Sequence, residues 1–284
     1  MVRLTSRLSS LAGYIKQGER VIDVGTDHGL LPIYLIQNNI TNKVILADIN
    51  EGPLEKAKGN LERAGIILGS SSYTLDPLPS SKSSLYSKVS QPTLDIRQGD
   101  GLDVMEKGEA DKAVIAGMGG NLIIDIMARD IEKSKSMEFV LQPRKKQERL
   151  SKWLYKNGFT IKDESLVKEG FYIWQIIHAI PVRDTCYKKE IDFAINPILI
   201  EKCDPLLSDF IQQKLKTLKK IYNEASKGSG WIAARNRTYA EILATEMEKI
   251  LELFRSVVRG DNQGGGITAI LEFQQTTTDR KSVV

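Results

Sequence analysis

The 284-residue sequence is poor in the side chains that staple or metallate a protein: it has two cysteines, Cys186 and Cys203, and two histidines, His28 and His178. Two cysteines make no disulfide framework, and their spacing has no histidine partners for zinc, so both read as ordinary small side chains and no metal is expected. No stretch approaches the roughly 18 uninterrupted apolar residues of a membrane-spanning helix. The opening Met1-Val2-Arg3-Leu4-Thr5-Ser6-Arg7 lacks the apolar centre of a secretory signal. The expectation is a cytoplasmic protein with no membrane contact, acting as a monomer. Neither sign of charge dominates: 40 Lys and Arg against 36 Asp and Glu leave a net +4, which permits a nucleic-acid partner without requiring one.

What is present is an alternation of short β-branched runs with helical patterns. Leu4, Leu8, Leu11 and Ile15 recur at helical spacing and predict a first helix ending near Gly18. Strands are then predicted at 20–25, 43–48, 94–101 (a strand and its closing turn), 112–117 and 138–143, with helices at 30–37, 52–64, 120–132 and 145–157. The runs 159–167 and 171–179 are separated only by Lys168-Glu169-Gly170, too short for a crossover helix, so they predict an antiparallel hairpin. Between 67 and 93 a serine-rich stretch with Pro77, Pro79 and Pro92 is expected to be a mobile surface insertion. Beyond Pro181 the strand pattern stops. Leu207, Ile211, Leu215, Leu218 and Tyr222, and then Tyr239, Leu243, Met247, Ile250, Phe254 and Val257, mark two long helices around the turn Lys227-Gly228-Ser229-Gly230, a coiled-coil hairpin. The predicted organisation is an α/β, Rossmann-type sheet with an antiparallel closing hairpin over 1–181, a helical coiled-coil unit over 182–260, and a disordered tail over 261–284. Dehydrogenase sheets more often continue in parallel, whereas methyltransferase sheets end on an antiparallel strand.

The polar residues with chemical potential fall at consecutive strand ends. The loop Asp23-Val24-Gly25-Thr26-Asp27-His28-Gly29 follows the first strand, where glycines let backbone approach a ligand and a helix N-terminus follows. Asp48, 25 positions after Asp23, stands where a ribose-binding carboxylate belongs. Asp100-Gly101 follows the third strand and is placed to meet an adenine amino group; Ala116, Gly117, Met118 and Gly119 end the fourth, where a transferred group would lie. An acid at a strand end also caps helices or faces solvent, but together these converge on one crevice. The loop lacks the G-x-G-x-x-G spacing and carries an acid where a pyrophosphate would pass. That carboxylate suits the cationic sulfonium and amino group of S-adenosylmethionine, and disfavours a dehydrogenase.

These motifs resemble the bacterial tRNA adenine-N1 methyltransferases that modify position 22 in the D-arm, across roughly residues 3–260. The resemblance rests on Arg7-Leu8, Leu11-Ala12, Asp23 to His28, Ala47-Asp48-Ile49-Asn50, Gly99-Asp100-Gly101-Leu102, Ala116-Gly117-Met118-Gly119-Gly120, Leu141-Gln142-Pro143 and Gly170-Phe171-Tyr172. The Gly-Met-Gly-Gly run is the most specific, since common amino-methyltransferases place an Asn-Pro-Pro-Tyr or Asp-Pro-Pro-Tyr element there. The insertion at 67–93 is longer than the family pattern. The resemblance implies S-adenosylmethionine at Asp23, Gly25, His28, Gly29, Asp48, Ile49, Asp100, Gly101, Ala116, Gly117 and Gly119. It also implies a tRNA substrate recognised at the D-arm. For catalysis the candidates are Asp27, accepting from the adenine amine or else contacting only the cofactor, Met118 as a flexible wall, and Gln142 reading the base edge or merely ending the strand. His28 reads as a loop-shaping residue and His178 as structural. RNA contacts are expected from Arg7 and from Lys214, Lys216, Lys219, Lys220, Lys227, Arg235 and Arg237, the last seven a basic cluster opposed only by Glu224; a solvated helix face is the bland alternative. A small-molecule methyltransferase would share the cofactor site without needing that cluster, and a non-catalytic RNA-binding protein could keep a Rossmann core.

Overall fold

A computed structural model describes residues 2–26, 28–41, 43–68, 73–75, 93–185 and 188–259, together with 267, 270 and 271. The chain opens with α1 (Ser6–Ala12), β1 (Arg20–Val24), α2 (Leu30–Gln37), β2 (Lys43–Asp48) and α3 (Glu51–Arg63). Next come β3 (Ile66–Leu68), β4 (Tyr73–Leu75), β5 (Thr93–Gln98), β6 (Lys112–Met118), α4 (Gly120–Arg129) and α5 (Ile131–Ser134). The sheet is completed by β7 (Glu138–Pro143), α6 (Gln147–Lys156), β8 (Thr160–Glu169) and β9 (Tyr172–Ile180).

The nine strands lie in the order β3-β4-β5-β2-β1-β6-β7-β9-β8. Five of them are parallel, and the order reverses between β1 and β6, the position where doubly wound sheets open a crevice beyond their carboxyl ends. Strands covered on both faces read as continuous apolar runs: Val44 to Ala47, Ala113 to Ile115 and Phe139 to Leu141 are all essentially inaccessible. The closing hairpin is as predicted, β9 antiparallel to β7 and β8 antiparallel to β9.

Two expectations about the sheet domain need correction. The first helix is short: after Gly13 the chain turns, with Tyr14 and Ile15 N–H donating to the carbonyls of Leu11 and Ala12. Leu11 and Ile15 are both buried nonetheless. The apolar period reported burial, which a turn satisfies as well as a helix does. The stretch expected as a surface insertion begins instead as a β-hairpin, Ile66–Leu68 against Tyr73–Leu75, with Tyr73 opposite Leu94 on the sheet edge. Residues 69–72 and 76–92 of that stretch lie outside the described residues.

The remaining elements are helical: α7 (Glu190–Ala194), α8 (Pro197–Glu201), α9 (Leu207–Ser226) and α10 (Trp231–Arg259). The last two pack along each other through Phe210, Ile211, Leu218, Leu243, Met247, Ile250 and Phe254. The predicted tail is not wholly loose, because Ile267, Ile270 and Leu271 are helical and Ile270 is fully buried in the same cluster. Its apolar residues find a core to cover, which their glycine-rich flank hid.

The helical unit is fastened to the closing hairpin. Leu166 and Ile173 of β8 and β9 belong to its core. Leu166 N–H donates to Asp204 Oδ2 at 3.2 Å and Ile173 N–H to Gln213 Oε1 at 3.3 Å. Lys214 Nζ reaches Glu148 of α6 at 2.6 Å, and Lys202 pairs with Asp163.

Candidate active site

The loop after β1 is held in a shape that few side chains allow. Gly25, His28 and Gly29 have φ of 74°, 69° and 64°, the left-handed region. Gly25 and Thr26 N–H both donate to the Ala47 carbonyl, strapping the loop to β2. A Cβ on Gly25 would collide with Met118 Cε, and one on Gly29 would lie 3.0 Å from Ala57 Cβ and Leu46 Cδ2. Gly25 thus makes room for Met118, whose side chain reaches across from the end of β6. His28 shapes the loop through its backbone, its carbonyl accepting from Asn60 Nδ2 at 2.8 Å. Asp27 lies outside the described residues.

Beneath this loop Asp23 is 8% exposed, and burial pushes its carboxyl up to about 6, with the charge of Asp48 adding in the same direction. Thr26 is buried beside Asp23, and the hydrogen bond from its hydroxyl to that carboxyl works against the rise. At the end of β2, Asp48 accepts from Asn50 N–H through Oδ1 at 2.9 Å, leaving Oδ2 available. Beside it Ile49 is 58% exposed, an apolar face in a polar crevice. A free carboxylate oxygen, an exposed aliphatic face and a buried acid fit the ribose, adenine and cationic amino-acid end of S-adenosylmethionine.

The opposite wall is built differently from the expectation. Gln142 is 1% exposed, and its Oε1 accepts from Gly117 N–H at 3.1 Å and from Arg7 Nη1 at 3.3 Å. It is therefore a positioning residue that fixes the loop at Gly117 (φ 77°), rather than a reader of the base edge. Arg7, expected on RNA, also donates through Nε to Glu169 Oε2 at 3.3 Å. It joins α1, β7 and the end of β8. Ala116 is half-buried at the irregularity between Ala116 and Met118, and Gly119 caps α4 with open space at its Cα. Gly120 N–H donates to the Lys145 carbonyl, pinning the start of α4 to the loop after β7.

Two further cofactor candidates are engaged by the protein. Asp100 pairs with Arg129 of α4 at 2.8 Å, and the same guanidinium holds Asp103 at 2.9 Å. Gly101, at φ 63°, would place a Cβ 2.8 Å from Ile126 Cγ2. Its smallness therefore serves packing of the turn against α4. His178 is structural as expected, its Nε2 2.8 Å from Glu138 Oε2.

The basic cluster divides on inspection. Lys216, Lys219, Lys220, Lys227 and Arg235 are exposed, and Arg235 lies 5.3 Å over the Trp231 ring. Lys214 is a correction: it is 8% exposed, paired with Glu148 and 4.8 Å over the Phe210 ring, so it ties the helical unit to α6 and cannot reach a phosphate. Arg237 is another, its Nη1 donating to the Ala225 and Gly228 carbonyls at the end of α9. Three cations escaped the sequence reading: Arg144, Lys145 and Lys146 are exposed directly after β7, at the mouth of the crevice. Their signal was plain, a run of three basic residues following a predicted strand end.

Residues 71–252 match the family model described as tRNA (adenine(22)-N(1))-methyltransferase, and residues 4–75 match a methyltransferase domain model. The chain is 30% identical over 257 residues to the tRNA (adenine(22)-N(1))-methyltransferase of Bacillus subtilis, covering 89% of this chain and 97% of that protein. The crystal structure of the B. subtilis m1A22 tRNA methyltransferase TrmK superposes with a TM-score of 0.72 at 26% identity, over 88% of this chain and 100% of that one. A Streptococcus agalactiae protein of the NADB-Rossmann superfamily superposes with a TM-score of 0.69 at 27% identity, over 88% and 97% of the two chains.

Proposed function

The chain belongs to the tRNA (adenine(22)-N(1))-methyltransferase family, and from that premise we propose that it transfers a methyl group from S-adenosylmethionine to N1 of adenosine 22 in the tRNA D-arm. The observation that carries the reading is the crevice at the β1/β6 switch point, lined by Asp23, Thr26, Asp48 and Ile49 and lacking a pyrophosphate fingerprint.

S-adenosylmethionine supplies an activated methyl on a positively charged sulfur. The residues of this chain hold and orient. Asp48 accepts the ribose hydroxyls and Ile49 covers the adenine face. Asp23, ionised above about 6, sets a negative charge beneath the cationic end of the donor. Gly117 and Met118, fixed through Gln142, form the wall on the substrate side. Adenine N1 carries an in-plane lone pair and needs no strong base, so alignment provides most of the rate. Asp27 accepts a hydrogen bond from the exocyclic amine and offsets the positive charge that develops on the base. N1 lies on the pairing edge, so the target adenine leaves its helix to react, while exposed cations hold the surrounding phosphates.

The proposed setting is the cytoplasm, and the proposed state a monomer. No described helix is long and apolar enough to cross a membrane, and no metal-ligating cluster occurs among the described residues. The deciding experiment incubates the protein and donor with tRNA transcripts that carry or lack an adenosine at position 22, followed by nucleoside analysis. N1-methyladenosine only in the first is the expected result, and transfer independent of that adenosine overturns the assignment.

A further inference from the structure

The tip of the closing hairpin presents an aromatic side chain that none of the described residues covers. Leu141 of β7 pairs with Ile177 of β9, so the residues before Gln175 run on past Pro143, to the side where the parallel strands end and the crevice opens. Gly170, at φ 61°, turns the chain there, and Phe171 is 99% exposed. Tyr172, 60% exposed, leans on Trp174 with ring centroids 5.4 Å apart, and Trp174 packs against the core beside α1. Phe171 has no such support among the described residues.

The tip is nevertheless held on both sides. Glu169, next to it, takes the Arg7 guanidinium, which also binds Gln142 and so reaches the Gly117 loop. Ile173, two residues beyond, is bonded to Gln213 of α9, and Lys168 lies 4.0 Å from Asp209. An exposed aromatic on an anchored hairpin thus stands between the crevice and the helical unit, with exposed Arg144, Lys145 and Lys146 at the neighbouring strand end. One ring on a hairpin tip is too small for a protein interface, but a flat apolar ring among cations is what an unpaired nucleic-acid strand meets on its binding surfaces.

We propose that Phe171 stacks on the nucleobase flanking the target adenine, taking the place that the adenine vacates when it turns into the crevice. This rests on the tRNA-methyltransferase reading above. It assigns Phe171 as a positioning residue that steadies the opened strand without touching the reacting atoms.

The test uses the full chain and tRNA transcripts carrying 2-aminopurine on either side of position 22. Binding to the wild type is expected to change the fluorescence of one of them, and Phe171→Ala to abolish that change. Phe171→Ala is expected to raise KM for tRNA about tenfold with kcat little altered. Phe171→Trp should restore both readouts and Phe171→Leu neither, while donor affinity stays the same throughout. Wild-type fluorescence that does not respond, an Ala variant with wild-type KM, or a Leu variant as good as Trp each overturns the proposal. If the wild type binds and stacks on the transcript but forms no N1-methyladenosine, the functional reading fails instead.

Discussion

In the proposed function the crevice and the helical hairpin both serve recognition, but they constrain their residues in opposite ways. In the crevice each position is fixed by its surroundings: Gly25 must admit Met118, Gly29 must admit Ala57, and Asp23 is largely buried. On the hairpin Lys216, Lys219, Lys220, Lys227 and Arg235 share only exposure and charge. A pocket that orients a reacting methyl tolerates little displacement, whereas phosphate attraction is long-ranged and tolerant of which cation supplies it. Single substitutions should therefore damage the first region and combined ones the second.

Replacing Lys216, Lys219, Lys220 and Arg235 together by Gln should produce the largest effect. Four lost phosphate contacts would weaken tRNA binding by on the order of 10²-fold or more at moderate salt, and lower the slope of log affinity against log salt by about 3. Filter binding across a salt series measures both, and an unchanged slope would assign the hairpin another partner. Lys214→Ala sharpens the contrast by striking the same helix on its buried side. Stranding Glu148, whose carboxyl the Lys214 ammonium helps hold below the ordinary range against the effect of burial, should cost about 2–3 kcal/mol in chemical denaturation, with the salt slope intact.

A smaller effect should appear in the crevice with pH. Asp23 loses its charge as pH falls through about 6, so donor affinity should fall about tenfold per unit below that point, and Asp23→Asn should flatten the titration. Calorimetry of donor binding across that range decides it. The smallest effect concerns Glu164, fully buried beneath the helical unit and pushed up to about 7 by burial. A raised carboxyl stabilises the fold most fully below its ordinary range, and that contribution is lost as pH rises through 7. Thermal melts of the wild type should drop by about 2–4 °C across that rise, and Glu164→Gln should remove the drop.

The same contrast explains what could be read from the sequence. Strand ends were legible because burial on both faces leaves an apolar run with a sharp polar stop, so Asp23, Asp48 and Gly117 all fall where expected. Side-chain direction was not. Gln142 reads as a group at a strand end, yet points inward to Gly117 because Arg7, far away in sequence, closes over it. Lys214 was counted with its basic neighbours, although it stands three residues after Ile211 and four before Leu218, on the buried stripe itself. Arg237 caps a helix end across the turn, a pairing visible only in space. Composition recorded the charge of these residues but not the direction in which they point.

Because α9 is bolted to the closing hairpin through Gln213 and to α6 through Lys214, the helical unit is a ruler and not a tether. Its 20 residues extend about 30 Å at 1.5 Å per residue. An RNA that places a base in the crevice while lying against the exposed lysines must present a phosphate track at that fixed offset. A helix arm of the right length and bend satisfies this, and a free nucleoside or an unfolded strand does not. Under the proposed function, selection of one adenine among many would then come from measured distance, without a side chain that reads sequence.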